Sequence, residues 1–407
     1  MLDQTTTLSR FLSYVQVETQ SDAHSQARPS TPGQLVLLEQ LRQEMLALGL
    51  VDVELTAGAF LLGTLPGNTD GPAFGLIAHV DTAPGCSGDG VSPQLHADYQ
   101  GGDIELKDGV VILASENPEL ALCLGETLIT ADGTTLLGAD DKAGVAIAMG
   151  VVEYLIAHPE LPRPSLRIAF TPDEEIGRGA HGFPYERFGA TAAITLDGGF
   201  SGELNVETFN ADAAWVRVTG VPTHPGTAKG KLVNAITWLA RLIERLPADE
   251  RPETTEGYQG FFHVTEVEGD ATEATAQLIL RDFDAEALAA RGALLRALAG
   301  ELITQEPRLR VTVSVEPSYR NMRPALERQP ALVEQLLEAT RLAEVEPRVL
   351  PIRGGTDGAM LTAGGLPCPN VFAGGVNFHG PTEWICTRSL GESMAVVLHL
   401  VQLRAGA

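Results

Sequence analysis

Four short segments place carboxylates or an imidazole directly after apolar runs: His79-Val80-Asp81, Asp140-Asp141-Lys142, Asp173-Glu174-Glu175 and Asp197-Gly198-Gly199. A fifth, His379-Gly380, follows Gly374-Gly375. Histidine, aspartate and glutamate without cysteine form the donor set of a hydrolytic zinc, cobalt or manganese site rather than of a structural zinc site. On a strand, His79 and Asp81 stand two residues apart and project from the same face. Asp81 can then accept the second N–H of the imidazole and orient it. Glu174 and Glu175 are neighbours that point in different directions, so one can hold a metal ion while the other faces the metal's water. Gathering this many carboxylates without cations costs on the order of several kcal/mol per uncompensated ion, and two divalent ions remove that cost. Taken singly, each segment also has an ordinary reading: a hydrogen-bonded His–x–Asp pair, solvated turn carboxylates, an Asp-Gly turn, a surface histidine. Their shared placement after successive strands is what favours metal.

For these segments to meet, the runs before them must lie side by side. Compact apolar runs at 74–80, 166–171, 192–196 and 370–373 read as strands, and the Ala/Val/Ile-rich stretch 143–158 reads as a packed helix. Further helical patterns stand at 8–15 and around Leu38, Leu41, Met45 and Leu48, with Gly49 as a stop. Short apolar strands interspersed with helices predict an α/β fold, a mostly parallel sheet flanked by helices. In such open sheets ligands bind beyond the carboxyl ends of the strands. The region 211–318 has a different rhythm: a strand at 211–220, a helix at 234–246, strands at 262–269 and 275–283, a helix at 285–305 and a strand at 309–315. That β-α-β-β-α-β order is the split unit of a ferredoxin-like α+β domain. The expected organisation is a catalytic domain in two segments, 1–208 and 319–407, with an inserted lid domain at 209–318. Trp215 and Trp238 are expected to pack the inserted domain.

Among 407 residues, 28 Lys plus Arg stand against 53 Asp plus Glu, a formal net charge of −25. A phosphate backbone would meet repulsion over most of such a surface, which excludes nucleic acid as a partner. No apolar run approaches the roughly 20 residues that span a bilayer, so no membrane is expected either. The four cysteines, Cys86, Cys123, Cys368 and Cys386, have no C-x-x-C spacing. That argues against a thiolate zinc site or a disulfide framework and suits a reducing cytosol. With no secretory pattern at 1–10, the expected location is cytoplasmic.

Read in order, the segments resemble the M20 family of dinuclear zinc peptidases. The resemblance is carried by His79-Val80-Asp81-Thr82, Gly138-Ala139-Asp140-Asp141-Lys142, Thr171-Pro172-Asp173-Glu174-Glu175, Asp197-Gly198-Gly199, Arg281-Asp282-Phe283-Asp284 and His379-Gly380. The strings His224-Pro225-Gly226-Thr227-Ala228-Lys229 and Arg353-Gly354-Gly355-Thr356-Asp357-Gly358 narrow it to the peptidase T branch. It runs from Arg10-Phe11-Leu12 to the last helix, nearly the whole chain.

The resemblance implies a tripeptide aminopeptidase with two zinc ions per subunit, cobalt or manganese being possible substitutes. It implies that Asp140 bridges the ions, that His79 and Asp197 complete one shell and that Glu175 and His379 complete the other. Asp140 rather than Asp141 is taken as the bridge because the family pattern is Asp–x–Lys, read against Lys142. Asp81 would orient His79, and Glu174 would be the general base, taking a proton from a metal-acidified water and returning it to the departing amine. A cis peptide bond after the bridging aspartate is expected in such sites. His224 is implied as a donor to the oxyanion, brought by closure of the inserted domain or by a partner subunit. Arg281 and Arg353 are candidate two-pronged clamps for the substrate's C-terminal carboxylate, and Asn210 a contact for its polar groups. Against these stand a local pairing of Arg281 with Asp282 or Asp284, and an Asx-turn at Asn210. Substrates would be short peptides with a free N-terminus, and the chain a monomer or homodimer. Two other functions stay open: a related metal-dependent hydrolase of N-acyl amino acids, which needs a blocked amine, and a non-catalytic peptide-binding protein, which has no use for Glu174.

Overall fold

The computed structural model describes residues 5–406. The described residues divide into two compact units: 5–206 with 322–350 and 356–406, and 207–321 with 351–355.

An eight-stranded sheet organises the first unit, in the order Val51–Leu55, Leu61–Leu65, Leu166–Thr171, Phe74–His79, Ala192–Gly198, Asn370–Phe372, Glu203–Asn205 and Arg348–Val349. The four central strands, which are the four apolar runs of the sequence, are mutually parallel. Their outer neighbours, Leu61–Leu65 and Glu203–Asn205, pair antiparallel to them, so the sheet is mixed, with a parallel centre. Strands covered on both faces have no solvent side to alternate towards, which is why every residue of Phe74–His79 is buried. The helix Ala139–Ala157 is buried from Lys142 through Val152. A helix apolar on all sides belongs in a core, and this one packs against the strands Phe74–His79 and Ala192–Gly198 and the helices Thr5–Tyr14 and Thr387–Ala405. Gly144 makes that approach possible, since a Cβ there would stand 2.1 Å from the Leu196 carbonyl oxygen. The helix starts earlier than the expected 143, and its Asp140 and Asp141 depart from helical φ/ψ.

A second sheet of this unit, antiparallel throughout, has the order Gly375–Val376, Trp384–Cys386, Leu128–Thr130, Gln94–His96. Its strands are two or three residues long, well under the usual five or six or so, and so leave no periodicity to read. It ties the chain just before Asp140 to the chain just after His379.

The second unit holds an antiparallel sheet in the order Phe261–Gly269, Glu273–Asp282, Asn210–Thr219, Arg310–Tyr319. The helices Ala235–Glu244 and Ala285–Gln305 pack against it through a core that includes Val216, Leu239, Leu278, Leu280 and Leu295. Asn234 and Asp284 cap these helices, accepting from the backbone N–H of Thr237 at 3.2 Å and of Ala287 at 2.8 Å. The last strand runs to Tyr319, past the expected 315. Trp238 packs beside the core. Trp215, expected there too, is 38% exposed: with Val216 and Val218 turned inward, two-residue alternation sends it outward. Among the described residues no helix is long and apolar enough to cross a membrane.

Candidate metal centre

The carboxyl ends of the central strands bring the acidic segments of the first unit together. His79 ends its strand almost fully buried. Its Nε2 lies 2.9 Å from Asp140 Oδ1 and 3.5 Å from Asp197 Oδ1. His379, with a left-handed φ of 65°, brings its Nε2 to 3.1 Å from Asp140 Oδ2 and 3.0 Å from Glu175 Oε2. The two oxygens of Asp140 therefore face different imidazoles, each accompanied by one further carboxylate. The peptide bond between Asp140 and Asp141 is cis.

His79, Asp140 and Glu175 each bring a donor atom within 4.8 Å of the others, and so do His79, Asp141 and Asp197. The Asp141 oxygens, however, already accept from the backbone N–H groups of His79 and Gly144, both at 3.2 Å.

Asp81 is fully buried and does more than its spacing from His79 suggests. Its Oδ1 accepts from the Glu174 N–H at 2.9 Å and its Oδ2 from the Glu175 N–H at 3.1 Å. The His79 Nδ1 lies 3.1 Å from the Asp81 backbone oxygen and 3.4 Å from its Oδ1. The carboxylate thus holds the Glu174-Glu175 turn, and the backbone oxygen is the nearer partner of the imidazole. From the other side, Asp173 accepts from Ser30 N–H at 2.9 Å and Gln34 Nε2 at 2.8 Å.

Electrostatics show what the cluster needs. Burial raises Glu175 and Asp197 each to about 7, with the Asp140 charge adding to both, and raises Glu174 well above the usual carboxylate range. Burial opposes the charge on His79, but Asp197, Asp140 and Asp81 outweigh it and raise the imidazole well above its ordinary value. Hydrogen bonds to Asp140 and Glu175 raise His379 to about 10. On Asp140 burial pushes upward, yet the two imidazoles prevail and hold it below the carboxylate range. Glu175 Oε1 is buried without a hydrogen-bond partner. Carboxyls forced towards neutrality, with one oxygen orphaned among nitrogen and oxygen donors, fit divalent cations.

Two participants carried no signal in the sequence. Glu383 is 1% exposed, and its carboxylate accepts from the backbone N–H groups of Leu137, Gly138 and Asp140. Arg28 donates to the carbonyls of Gly58, Arg178 and Gly179, holding the chain that follows Glu175. A glutamate in an irregular loop and an arginine before a proline look like ordinary surface residues until their partners are known.

The remaining candidates belong to the second unit. His224 is exposed, its Nδ1 accepting from Gly226 N–H at 3.2 Å. Arg281 is free of the local pairing expected against it, because Asp282 pairs with Arg291 at 2.9 Å and Asp284 caps its helix. Its guanidinium donates to the Leu280 carbonyl at 3.0 Å and lies 5.3 Å from the centre of the Tyr319 ring. Arg353 donates to the carbonyls of Gly257 and Gln259 and to Thr255 Oγ1, each at 2.8 Å. Asn210 donates to the carbonyls of Asp282 and Phe283 and accepts from Asn321 N–H at 3.0 Å. Both side chains hold loops of their own unit.

The sequence model of the Peptidase family M20/M25/M40 matches residues 132–403. Peptidase T of Vibrio parahaemolyticus is 48% identical over 401 residues, covering 98% of each chain. A tripeptidase from Staphylococcus aureus has a similar fold, with TM-score 0.79 at 22% identity over the whole of both chains. A dinuclear metal-binding M20 peptidase from Bacillus subtilis is similar at TM-score 0.67 and 14% identity, over 98% of this chain and 97% of the other.

Proposed function

Since the chain belongs to the Peptidase family M20/M25/M40 and, within it, to the peptidase T branch, we propose that it is a metal-dependent aminopeptidase releasing the N-terminal residue from tripeptides. The observation that carries this reading is Asp140, whose Oδ1 and Oδ2 face His79 and His379 at 2.9 and 3.1 Å. A carboxylate so divided would bridge two ions. His79, Asp197 and Asp140 would hold one ion, and Asp140, Glu175 and His379 the other, a donor set that suits zinc and also admits cobalt or manganese. When bound, the ions supply Lewis acidity, polarising the scissile carbonyl and acidifying the attacking water.

The protein's own part is positioning and proton movement. Glu174, its backbone N–H fixed on Asp81, takes the proton of the attacking water and returns it to the departing amine, a role worth about 10²–10⁴ in rate. Arg281 is a candidate clamp for the peptide's C-terminal carboxylate and His224 a candidate donor to the oxyanion. Arg353 is the second candidate clamp and Asn210 a candidate contact for the peptide's polar groups. The cysteines are free thiols, in keeping with work in a reducing cytoplasm.

The test uses metal-stripped protein, with and without added zinc, on an unblocked tripeptide and its N-acetylated twin. Zinc-dependent release of the first residue from the unblocked peptide alone is the expected result. Cleavage of only the acetylated twin would make the protein a deacylase. Zinc binding with neither peptide cut would make it a binding protein.

A further inference from the structure

Glu383 has no place in the chemistry above, yet its carboxylate takes three backbone N–H groups beside the centre. Its Oε2 accepts from Leu137 N–H at 2.8 Å and Gly138 N–H at 2.7 Å, and its Oε1 from Asp140 N–H at 3.1 Å. These amides lie just before and within the first turn of the helix Ala139–Ala157, where the backbone is not helical: Gly138 has φ 81° and Asp140 has φ −85°, ψ 104°. The Lys142 N–H donates to the Gly138 carbonyl at 3.3 Å, so the amides before it have no helical acceptor of their own. A buried carboxylate on three N–H groups makes charge-assisted bonds, about twice the strength of neutral ones.

The carboxylate is itself fixed on both sides. Before it, Glu383 N–H donates to the Gly380 carbonyl at 3.2 Å, closing a turn on the residue next to His379. After it, Trp384 is fully buried, pairs across the small sheet with Thr130 and donates from Nε1 to Asn117 Oδ1 at 3.2 Å. The segment 379–383 therefore grips the Asp140 turn twice, through His379 on the Asp140 carboxylate and through Glu383 on the amides behind it.

We propose that Glu383 is the positioning residue of the metal centre, its carboxylate setting the backbone of Leu137–Asp140 so that Asp140 presents one oxygen to each side while His379, on the same short loop, is held at the matching distance. This rests on the reading of Asp140 as a bridge. Because the bridge serves both ions, loosening its backbone weakens both together, unlike the loss of a ligand to one ion.

The variant Glu383→Gln keeps shape but turns an NH2 towards one or more of the three N–H groups. Zinc titrated calorimetrically into stripped protein, well below the melting temperature, should show both ions bound about 10–100-fold more weakly, the usual effect of losing a group that orients a metal ligand. The kcat should fall with KM little changed. Glu383→Asp keeps the charge but falls one methylene short, so the same losses should appear at smaller size, and this variant carries the test if the glutamine form does not fold. Wild-type zinc affinity and kcat in a variant that merely melts earlier would reduce Glu383 to a structural cap, as would a glutamate-to-aspartate change no milder than the change to glutamine. Asp140→Asn, run alongside, separates the two readings. If it retains both ions the bridge itself is wrong, whereas loss of both ions there with unaltered binding in the Glu383 variants refutes only the positioning role.

Discussion

Replacing Asp81 with asparagine tests which part of the centre this residue serves. Family resemblance gives it the orientation of His79, but the geometry gives its carboxylate mainly to the Glu174 and Glu175 N–H groups at 2.9 and 3.1 Å. The His79 Nδ1 keeps the Asp81 backbone oxygen at 3.1 Å, a partner that the substitution does not remove. An asparagine has one accepting end. Whichever way its amide turns, one of the two N–H groups faces an NH2 in a site with no solvent access to the side chain. Losing a hydrogen bond to a charged group costs about 1.5–3 kcal/mol and an orphaned buried donor about 1–3 kcal/mol. These describe one loss from two sides, so urea unfolding should show Asp81→Asn less stable by about 2–3 kcal/mol. The effect should fall on the ion held by Glu175 and His379, weakened about 10–100-fold in zinc titration, with kcat reduced through Glu174. A double-mutant cycle with Glu175→Ala locates the effect. If Asp81 acts through the Glu174-Glu175 turn, adding Asp81→Asn to Glu175→Ala costs little further zinc affinity. Full additivity, or wild-type stability in the single variant, would refute the reasoning and return Asp81 to His79.

Glu174→Ala should bind both zinc ions with near wild-type affinity and lose about 10²–10⁴ in kcat; turnover at the wild-type rate would remove it as the base. Arg281→Ala should raise KM for tripeptides with little change in kcat, since a clamp on a remote carboxylate gives uniform binding, and unchanged kinetics would make it structural. Tyr14 is fully buried and donates to Glu44 Oε2 at 2.8 Å, and burial, then the Glu44 charge, raises its phenol above the ordinary 10.0. A group whose folded pKa is raised contributes stability that is complete below the unfolded value and lost as pH climbs past it. Unfolding midpoints measured from pH 9 to 11 should therefore fall less steeply in Tyr14→Phe than in wild type, and parallel curves would refute the assignment.

Much of the candidate centre was legible in the sequence because its residues sit at the ends of locally encoded strands. Apolar runs at 74–80, 166–171 and 192–196 could only be buried strands, so His79, Glu174, Glu175 and Asp197 had to emerge at one edge of the sheet. The β-α-β-β-α-β rhythm of 211–318 likewise reads as a unit of its own, and the same alternation, followed strictly, would have put Trp215 outside. Side-chain partners are another matter. Arg353 in a glycine-rich loop and Asn210 at a strand start had the residue types of substrate contacts, and only closure of the chain turned their polar groups onto carbonyls of their own unit. Glu383 is the clearest case, since the amides it holds lie 243 to 246 residues away in sequence. Periodicity is a local property, written in which residues must leave water, so it survives in sequence. Which amide meets which carboxylate depends on where distant segments stop against each other, and that was decided only when the small sheet joined residues 128–130 to 384–386 and brought the chain on either side of the centre together.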